Sequence, residues 1–159
     1  MPANLTAQWT THSDPTGSLW SLALPNSMRG GFVIPREERP HQEMSVFSGE
    51  LALGKSARVV VTCHHNPKRK PIELARWHAS FFPPPTPLIE RVKVTGAVRA
   101  FRLHGNIPID DGLSPSGIER HTITVARLRK FQILLSITTD AYCDADREIE
   151  QVVDSLQLG

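Results

Sequence analysis

The stretch at residues 56–85, SARVVVTCHHNPKRKPIELARWHASFFPPP, changes its hydrophobic period part-way and so decides the fold. Its first part, ARVVVTCHH, is β-branched and apolar at consecutive positions, which is typical of a strand covered on both faces. From Pro71 onward the apolar residues recur at helical spacing, which predicts an amphipathic helix. Pro71 suits the first turn, Glu73 lies near the positive end, and the prolines at 83–85 end the helix. One strand therefore passes into one helix through the basic loop 66–70.

The segments before this stretch predict further strands. LTAQWTT and LWSLALP alternate apolar and polar residues, and HSDPTGS between them has turn chemistry at Asp14-Pro15 and Gly17. This pattern predicts a hairpin, in which Trp9 and Trp20 are expected to pack across the two arms as core residues. MSVFSGELAL then reads as another strand, after a polar loop that prolines interrupt.

The segments after this stretch predict four strands and a closing helix. IERVKVTG, AVRAFRLHGN, ERHTITVARL and KFQILLSITTD are strand-like in length and residue type. Residues 127–130 are expected to form a tight turn, with one long bent strand in place of the last two as the alternative. DADREIEQVVDSLQLG predicts a helix capped by Asp144. Its apolar stripe is Ile149, Val152, Val153 and Leu156. Short connections favour a mostly antiparallel sheet, and two amphipathic helices must bury their stripes on it, which predicts an α+β fold.

Composition narrows the class of protein. The chain has 159 residues, and its 40% hydrophobic and 21% charged content indicates a single globular domain at 1–159. A net charge of only +2 argues against a nucleic-acid partner. Two cysteines, Cys63 and Cys143, are too few for a disulfide framework and favour a reducing compartment. Neither a signal-peptide pattern nor an apolar run of about 20 residues is present, so we expect a cytoplasmic protein without a membrane span.

The cluster Cys63-His64-His65 raises the question of a metal site. Strand alternation puts Cys63 and His65 on one face and His64 on the other. A structural zinc site needs four ligands, and no spaced Cys or His pair supplies the rest. The remaining ligands would have to converge through the fold from His78, His104 and His121. We therefore predict neither metal nor cofactor and read Cys63 as a small buried hydrophobe. A metal-dependent enzyme using Cys63 and His65 stays as an alternative.

Other motifs give no catalytic signal. The loop NPKRKP has neither a glycine-rich cradle nor interleaved aromatic residues, so a solvated loop is the simpler interpretation than a phosphate or nucleic-acid site. No Gly-x-Ser-x-Gly elbow occurs, and Asp110-Asp111 beside Gly112 reads as a turn. FFPPPTP reads as a helix stop, with recognition of a polyproline segment as the alternative. The chain is thus not expected to be an enzyme.

Apolar residues mixed into the irregular segment 26–47 are candidates for a binding surface. They either anchor this segment to the core or form the lip of a groove. With two flanking arginines, the candidate partner-binding residues are Met28, Phe32, Met44, Phe47, Arg99 and Arg102.

The order of these motifs resembles the PsbP-like superfamily. An early LWSLALP strand, a VVVT strand that leads into a helix ending in Phe-Phe, and VTGAVRAFRLHG at 94–105 carry the resemblance. Gly96 and Ala100 lie in the last of these, and IEQVVDSLQL closes the chain. The resemblance covers residues 18–158 and leaves 1–17 as an N-terminal arm. That superfamily includes the photosystem oxygen-evolving subunit, the Ran-binding nuclear import factor, LpqN-type lipoproteins and DcrB-type proteins, among them chaperones of type VI secretion effectors.

The resemblance implies an α-β-α sandwich around a mostly antiparallel sheet and a non-enzymatic role. No binding residue of the superfamily transfers, and the lipid-attachment cysteine of LpqN-type members is absent from the start of this chain. The leading hypothesis is an accessory protein, an adaptor or chaperone-like module, that binds a protein partner such as a secreted effector or assembly component. It would bind through the sheet face that the helices leave uncovered. A small-molecule or lipid carrier with a pocket between helix and sheet is a second alternative, and pairing of two copies through a sheet edge stays open.

Overall fold

The computed structural model describes residues 8–33, 42–109 and 114–159. In this part of the chain the backbone forms ten strands and two helices. In chain order they are β1 Trp9–Ser13, β2 Trp20–Pro25, β3 Arg29–Val33, β4 Gln42–Ala52, β5 Lys55–His65, α1 Pro71–Ala79, β6 Glu90–Val92, β7 Arg99–Pro108, β8 Ile118–Leu128, β9 Phe131–Asp140, α2 Asp146–Asp154 and β10 Gln157–Leu158.

Most strands lie in one large sheet. Its strand order is β3-β4-β5-β9-β8-β7-β6, and neighbouring strands are antiparallel. A smaller antiparallel sheet has the order β1-β2-β10. Successive hairpins build the large sheet on both sides of the β5–β9 pair, which places the two chain halves next to each other at its centre.

The large sheet has two faces, which we name after the helix that packs on each. On β5, Val59, Val61 and Cys63 point to the α2 face and are buried in the main core. The small sheet and α2 cover this face, with Leu22 and Leu24 of β2 fully buried. The residues of β5 between these, such as Val60 and Thr62, point to the α1 face. The predicted α-β-α sandwich around a mostly antiparallel sheet is thereby confirmed.

The closing helix is held by its apolar stripe and by ion pairs at its flanks. Ile149, Val152, Val153 and Leu156 are buried as predicted, and burying an aliphatic side chain of this size contributes about 1.5–3 kcal/mol. Lys55 Nζ lies 3.1 Å from Glu148 Oε1. The cap differs from the prediction, because Ala145 and not Asp144 takes the N-cap position, and no side chain caps the helix there.

The N-terminal hairpin is confirmed, but its tryptophans do not pair. The register sets Trp9 opposite Pro25, whereas Trp20 lies at the other end of β2, beyond the pair Ser13–Ser21. The carboxylate of Asp14 closes the turn: Oδ1 accepts hydrogen bonds from the backbone N–H of Leu19 at 2.8 Å and of Trp20 at 3.2 Å. The predicted interaction of Trp9 with Trp20 is therefore wrong.

Two strands were not predicted. β3 lies within the segment 26–47, for which the sequence pattern predicts an irregular loop, and β10 follows α2. Both are defined by their pairing partners, β4 and β2, more than by their own residues. The interior of that segment, 34–41, and the loop residues 110–113 with Asp110 and Asp111 lie outside the described residues.

Candidate partner-binding face

Helix α1 covers only part of the sheet face on which it packs. It lies against β7 and β8, where Leu74, Ala75, Ala79 and the following Phe82 form a second core with residues such as Leu103. Nine residues of helix span about 14 Å by about 10 Å. Seven strands spaced by about 4.8 Å make a sheet about 29 Å wide. A helix of this length therefore cannot shield the far strands.

The far strands present an apolar patch on the same face. It consists of Val33 on β3, Met44 and Val46 on β4, and Val60 on β5, and we call it the open face. The register pairs Val33 with Met44 and Val46 with Val60, so the four side chains are neighbours. Val33 is 45% exposed, and the others are half-buried. The run VVVT of β5 is thus covered fully on one face only, which corrects the expectation of cover on both.

Two exposed aromatic side chains stand on α1, on the same side of the sheet as this patch. Trp77 and Phe81 are 43% and 59% exposed, and their rings meet edge-on with centroids 4.7 Å apart. The Arg69 guanidinium lies 4.8 Å from the centre of the Trp77 ring, within the range of a cation–π interaction. We call Trp77 and Phe81 the aromatic edge. Trp77 lies outside the buried stripe of α1, which is Pro71, Leu74, Ala75 and Ala79, although a tryptophan at helical spacing is more often a core residue.

A histidine links the aromatic edge to β5. The ring of His78 lies 4.9 Å from that of Trp77. Burial lowers the pKa of His78, and the nearby charges of His64 on β5 and Arg69 lower it further. His78 therefore faces β5 and is neutral at pH 7. Because the open face and the aromatic edge lie on the same side of the sheet, we take them together as one candidate binding surface and call it the groove.

A second histidine lies deeper on the same face. His121 packs edge-on to Phe82, with ring centroids 6.1 Å apart. Its Nδ1 is 3.4 Å from Thr138 Oγ1, and its Nε2 is 3.3 Å from Glu119 Oε2. Burial and the charge of Arg58 lower the pKa of His121. The α1 face thus carries two imidazoles that are neutral at pH 7, each packed against an aromatic ring.

The Cys63-His64-His65 cluster has the predicted strand alternation. Cys63 Sγ lies 3.9 Å from His65 Nε2, which is 3.3 Å from Glu43 Oε1. Burial, followed by the charges of Glu43 and Asp14, raises the pKa of Cys63 to about 12. The thiol is therefore protonated at neutral pH and is a poor nucleophile and metal ligand. Within 8–33, 42–109 and 114–159, no three His, Cys, Asp or Glu side chains are grouped so as to hold a metal ion.

Comparison with known proteins gives structural matches alone. The sequence matches no family profile and no curated protein. The cyanobacterial PsbP (CyanoP) of Synechocystis sp. PCC 6803 superposes with a TM-score of 0.63 at 12% identity, over 100% of this chain and 97% of that one. The Ran-binding protein Mog1p of Saccharomyces cerevisiae matches with a TM-score of 0.54 at 11% identity, over 96% of each chain. The chain adopts the PsbP-like fold.

Two further structures share the PsbP-like fold. LpqN of Mycobacterium tuberculosis, described as involved in cell envelope biogenesis, has a TM-score of 0.54 at 14% identity, over 95% of this chain and 90% of that one. A protein of Bacteroides thetaiotaomicron VPI-5482 has a TM-score of 0.61 at 11% identity over 96% of this chain, which spans 49% of that protein's length. At these identities the likeness shows the fold alone. In the described part of the chain, neither helix has the length and apolar character to cross a bilayer.

The predicted partner-binding residues are scattered over the PsbP-like fold. Met28 and Phe47 are each 2% exposed and belong to the main core, where Phe47 lies 4.7 Å from the His12 ring. Their side chains anchor the segment and offer no surface. Phe32 is exposed on β3, on the α2 face. Met44 alone of this group belongs to the open face.

The two arginines lie near the other edge of the sheet. Arg99 and Arg102 are on β7, which is separated from β3 by four intervening strands. Arg99 is on the α1 face, whereas Arg102 is on the α2 face, where its Nη1 lies 3.3 Å from Glu150 Oε1. The predicted residues therefore do not form one site. They are distributed over both faces of the large sheet and lie near both of its edges.

The residues that do form the groove were missed in the sequence. Val33, Val46, Val60, Trp77 and Phe81 were absent from the predicted site. A usable signal existed in α1, because an apolar stripe that also includes Trp77 and Phe81 is too wide for one buried face. The β-branched run of β5 gave no such signal, since exposure of Val60 depends on how far α1 reaches across the sheet.

Proposed function

We propose that the protein is a non-enzymatic accessory protein, an adaptor or chaperone-like module, that binds an apolar segment of a partner protein in the groove. The observation that carries this proposal is the open face: three valines and a methionine left partly exposed as neighbours on a sheet, on the same side as two exposed aromatic rings. Apolar patches of this kind on a folded surface mark sites of interaction.

The energetics of the groove favour an apolar partner. Each Å² of apolar surface that a partner removes from water contributes roughly 25 cal/mol. Exposed aromatic residues are frequent among the few side chains that carry most of an interface's binding energy, and Trp77 and Phe81 have this character. An extended or helical segment lying along the groove would contact the open face on one side and the aromatic edge on the other.

Proteins with the same fold support a protein-binding role. Mog1p is by its name a Ran-binding protein, and LpqN is described as acting in cell envelope biogenesis. By analogy with these proteins, we propose that the partner is a component of a secretion or assembly process, such as a secreted effector. Both cysteines of the chain, Cys63 and Cys143, are free thiols, which is in keeping with the proposed cytoplasmic location.

The proposal is tested by affinity capture with matched variants. One variant replaces two exposed groove residues, Val33→Asp with Trp77→Asp. Its control replaces two exposed apolar residues elsewhere, Leu53→Asp with Tyr142→Asp. Tagged forms of the wild type and both variants are expressed in the native cell, and captured proteins are quantified by mass spectrometry.

We expect at least one protein to be captured by the wild type and by the control, and to fall about tenfold or more with the groove variant, since a buried charge without a partner is costly. Circular dichroism checks that both variants are folded. The same captured set with all three forms would contradict the proposal, as would equal loss with both variants.

A further inference from the structure

A cavity between α1 and the sheet lies apart from the groove. It has a volume of about 520 Å³ and sits at the N-terminal end of α1, where Pro71 and Ile72 meet the start of β7 and the end of β8. Small-molecule sites typically have volumes of about 300–1,000 Å³. The cavity lies between helix and sheet, the position that the alternative hypothesis of a small-molecule or lipid carrier predicts for a pocket.

Four cationic side chains line this cavity: Lys70, Arg99, Arg127 and Arg129. No carboxylate belongs to its lining, and none of the four forms an ion pair with another of the described residues. We call it the basic cavity. Its remaining walls are apolar and include Ile72, Val98 and Phe101.

The cations are brought together by the sheet register and by a tight turn. Arg99 and Arg127 are direct cross-strand partners on the same face of β7 and β8, an arrangement in which like charges repel. Arg129 has a φ of 52° in the two-residue turn between β8 and β9, a conformation for which Asn or Gly is the usual choice. The backbone N–H of Asn66 donates to the carbonyl of Lys130 at 2.6 Å, which ties the basic loop 66–70 to that turn.

We propose that the basic cavity binds a phosphate ester. A phosphate monoester carries about two negative charges and three acceptor oxygens, and the guanidinium group matches phosphate with paired hydrogen bonds. Arg99 and Arg127, side by side, would grip the phosphate, while Lys70 and Arg129 add charge at its rim. The apolar wall of Val98 and Phe101 would contact the carbon part of the ester. This site is independent of the proposed partner-binding groove.

A small ester fits the cavity better than a nucleic acid or an acidic peptide. The four cations converge on one concavity and do not follow a backbone track, and the exposed aromatic residues Trp77 and Phe81 belong to the groove and not to this cavity. Two sources share the chemistry: a soluble phosphorylated metabolite and the head group of a phospholipid. They differ in whether a long apolar tail improves binding.

Isothermal titration calorimetry at 0.15 M ionic strength, at which surface charges are screened beyond about 8 Å, tests the proposal. The probes are glycerol 3-phosphate and the soluble lipid dioctanoyl phosphatidic acid. The site variant is Arg99→Gln with Arg127→Gln. The control is Arg76→Gln with Arg147→Gln, which removes the same charge from exposed positions outside the cavity. Removing the facing arginine pair also removes a repulsion, so we expect the site variant to melt no lower than the wild type.

We expect at least one probe to bind in the micromolar range, about tenfold or more weaker binding to the site variant, and a change within about twofold for the control. Equal binding of both probes would identify a soluble ester, and tighter binding of the lipid would identify a phospholipid. The proposal is overturned if neither probe binds, if both variants lose affinity equally, or if a single-stranded oligonucleotide or a poly-glutamate peptide binds more tightly than either ester. The Val33→Asp, Trp77→Asp variant should bind the phosphate-ester probes with wild-type affinity. That result would show that the basic cavity works independently of the groove, so that failure of one proposal can be told from failure of the other.

Discussion

At the scale of single residues, two partly buried histidines of the α1 face link the stability of the fold to pH. His78 and His121 have lowered pKa values, in both cases chiefly because burial disfavours the charged imidazolium. The unfolded chain holds these groups at their ordinary pKa of about 6.5. As the pH falls through that value, the unfolded state takes up protons that the folded state does not.

This difference predicts a pH-dependent stability. The free energy of unfolding should be at its full value above the unfolded pKa of about 6.5 and should fall as the pH is lowered from 7.5 to 5.5. Urea denaturation at several pH values measures the slope. The double variant His78→Gln, His121→Gln should flatten it, with a variant of the exposed His104 as the control. A slope as steep in the double variant as in the wild type would contradict the assignment.

At the scale of elements, Gly96 shows why one residue type is needed where two elements meet. It has a φ of +83°, and a Cβ there would come within 1.9 Å of the Leu158 carbonyl oxygen. The flanking Thr95 forms a parallel bridge with Gln157, and its carbonyl accepts a hydrogen bond from Leu158 N–H at 2.8 Å. Gly96 therefore allows the chain before β7 to pack against β10.

Comparing Gly96 with Gly54 separates two costs of adding a side chain at this junction: the left-handed backbone and the clash with Leu158. Gly54 has a similar φ of +74° but no atom near a Cβ, so Gly54→Ala should cost roughly 1–2 kcal/mol from the left-handed backbone alone. Gly96→Ala should cost clearly more, because it adds the clash with Leu158. Chemical denaturation of both variants measures the difference. Equal losses would show that the close approach of β10 contributes nothing.

Elements also differ in how far the sequence predicted them. The switch of period at Pro71 and the stripe of α2 are strong local signals, and both helices were predicted correctly. β3, with Gly30-Gly31 in its centre, has little strand propensity of its own and exists because β4 pairs with it. A strand of this kind is visible only once its partner is known.

The candidate sites were harder to predict, because they depend on long-range placement. Met28 and Phe47 look like groove residues in a polar segment but are drawn into the core by packing on the α2 face. Val60 is only half-buried, because α1 packs on β7 and β8 and does not cover β5. Arg99 and Arg127 are far apart in the sequence and become neighbours through the register of β7 and β8.

At the scale of the whole molecule, the two ends of the sheet differ in how their charges are balanced. Where β9 begins, Arg129 lines the basic cavity without an ion pair to another of the described residues. Where β9 ends, charges are paired, as in Lys55 with Glu148 and Arg120 with Asp146. The neutral groove lies beside α1, while the basic cavity lies at the N-terminal end of α1. The molecule thus offers separate surfaces for an apolar segment and for an anion.

The central claim, that the groove holds a partner protein, is tested most directly by site-specific photocrosslinking in the native cell. A photoreactive amino acid is placed at Trp77 or Val33 in the groove, and at Leu53 or Tyr142 as exposed controls. The account predicts a discrete crosslinked product with another protein from both groove positions and none from the control positions. Products of equal yield from all four positions, or none from the groove, would contradict it.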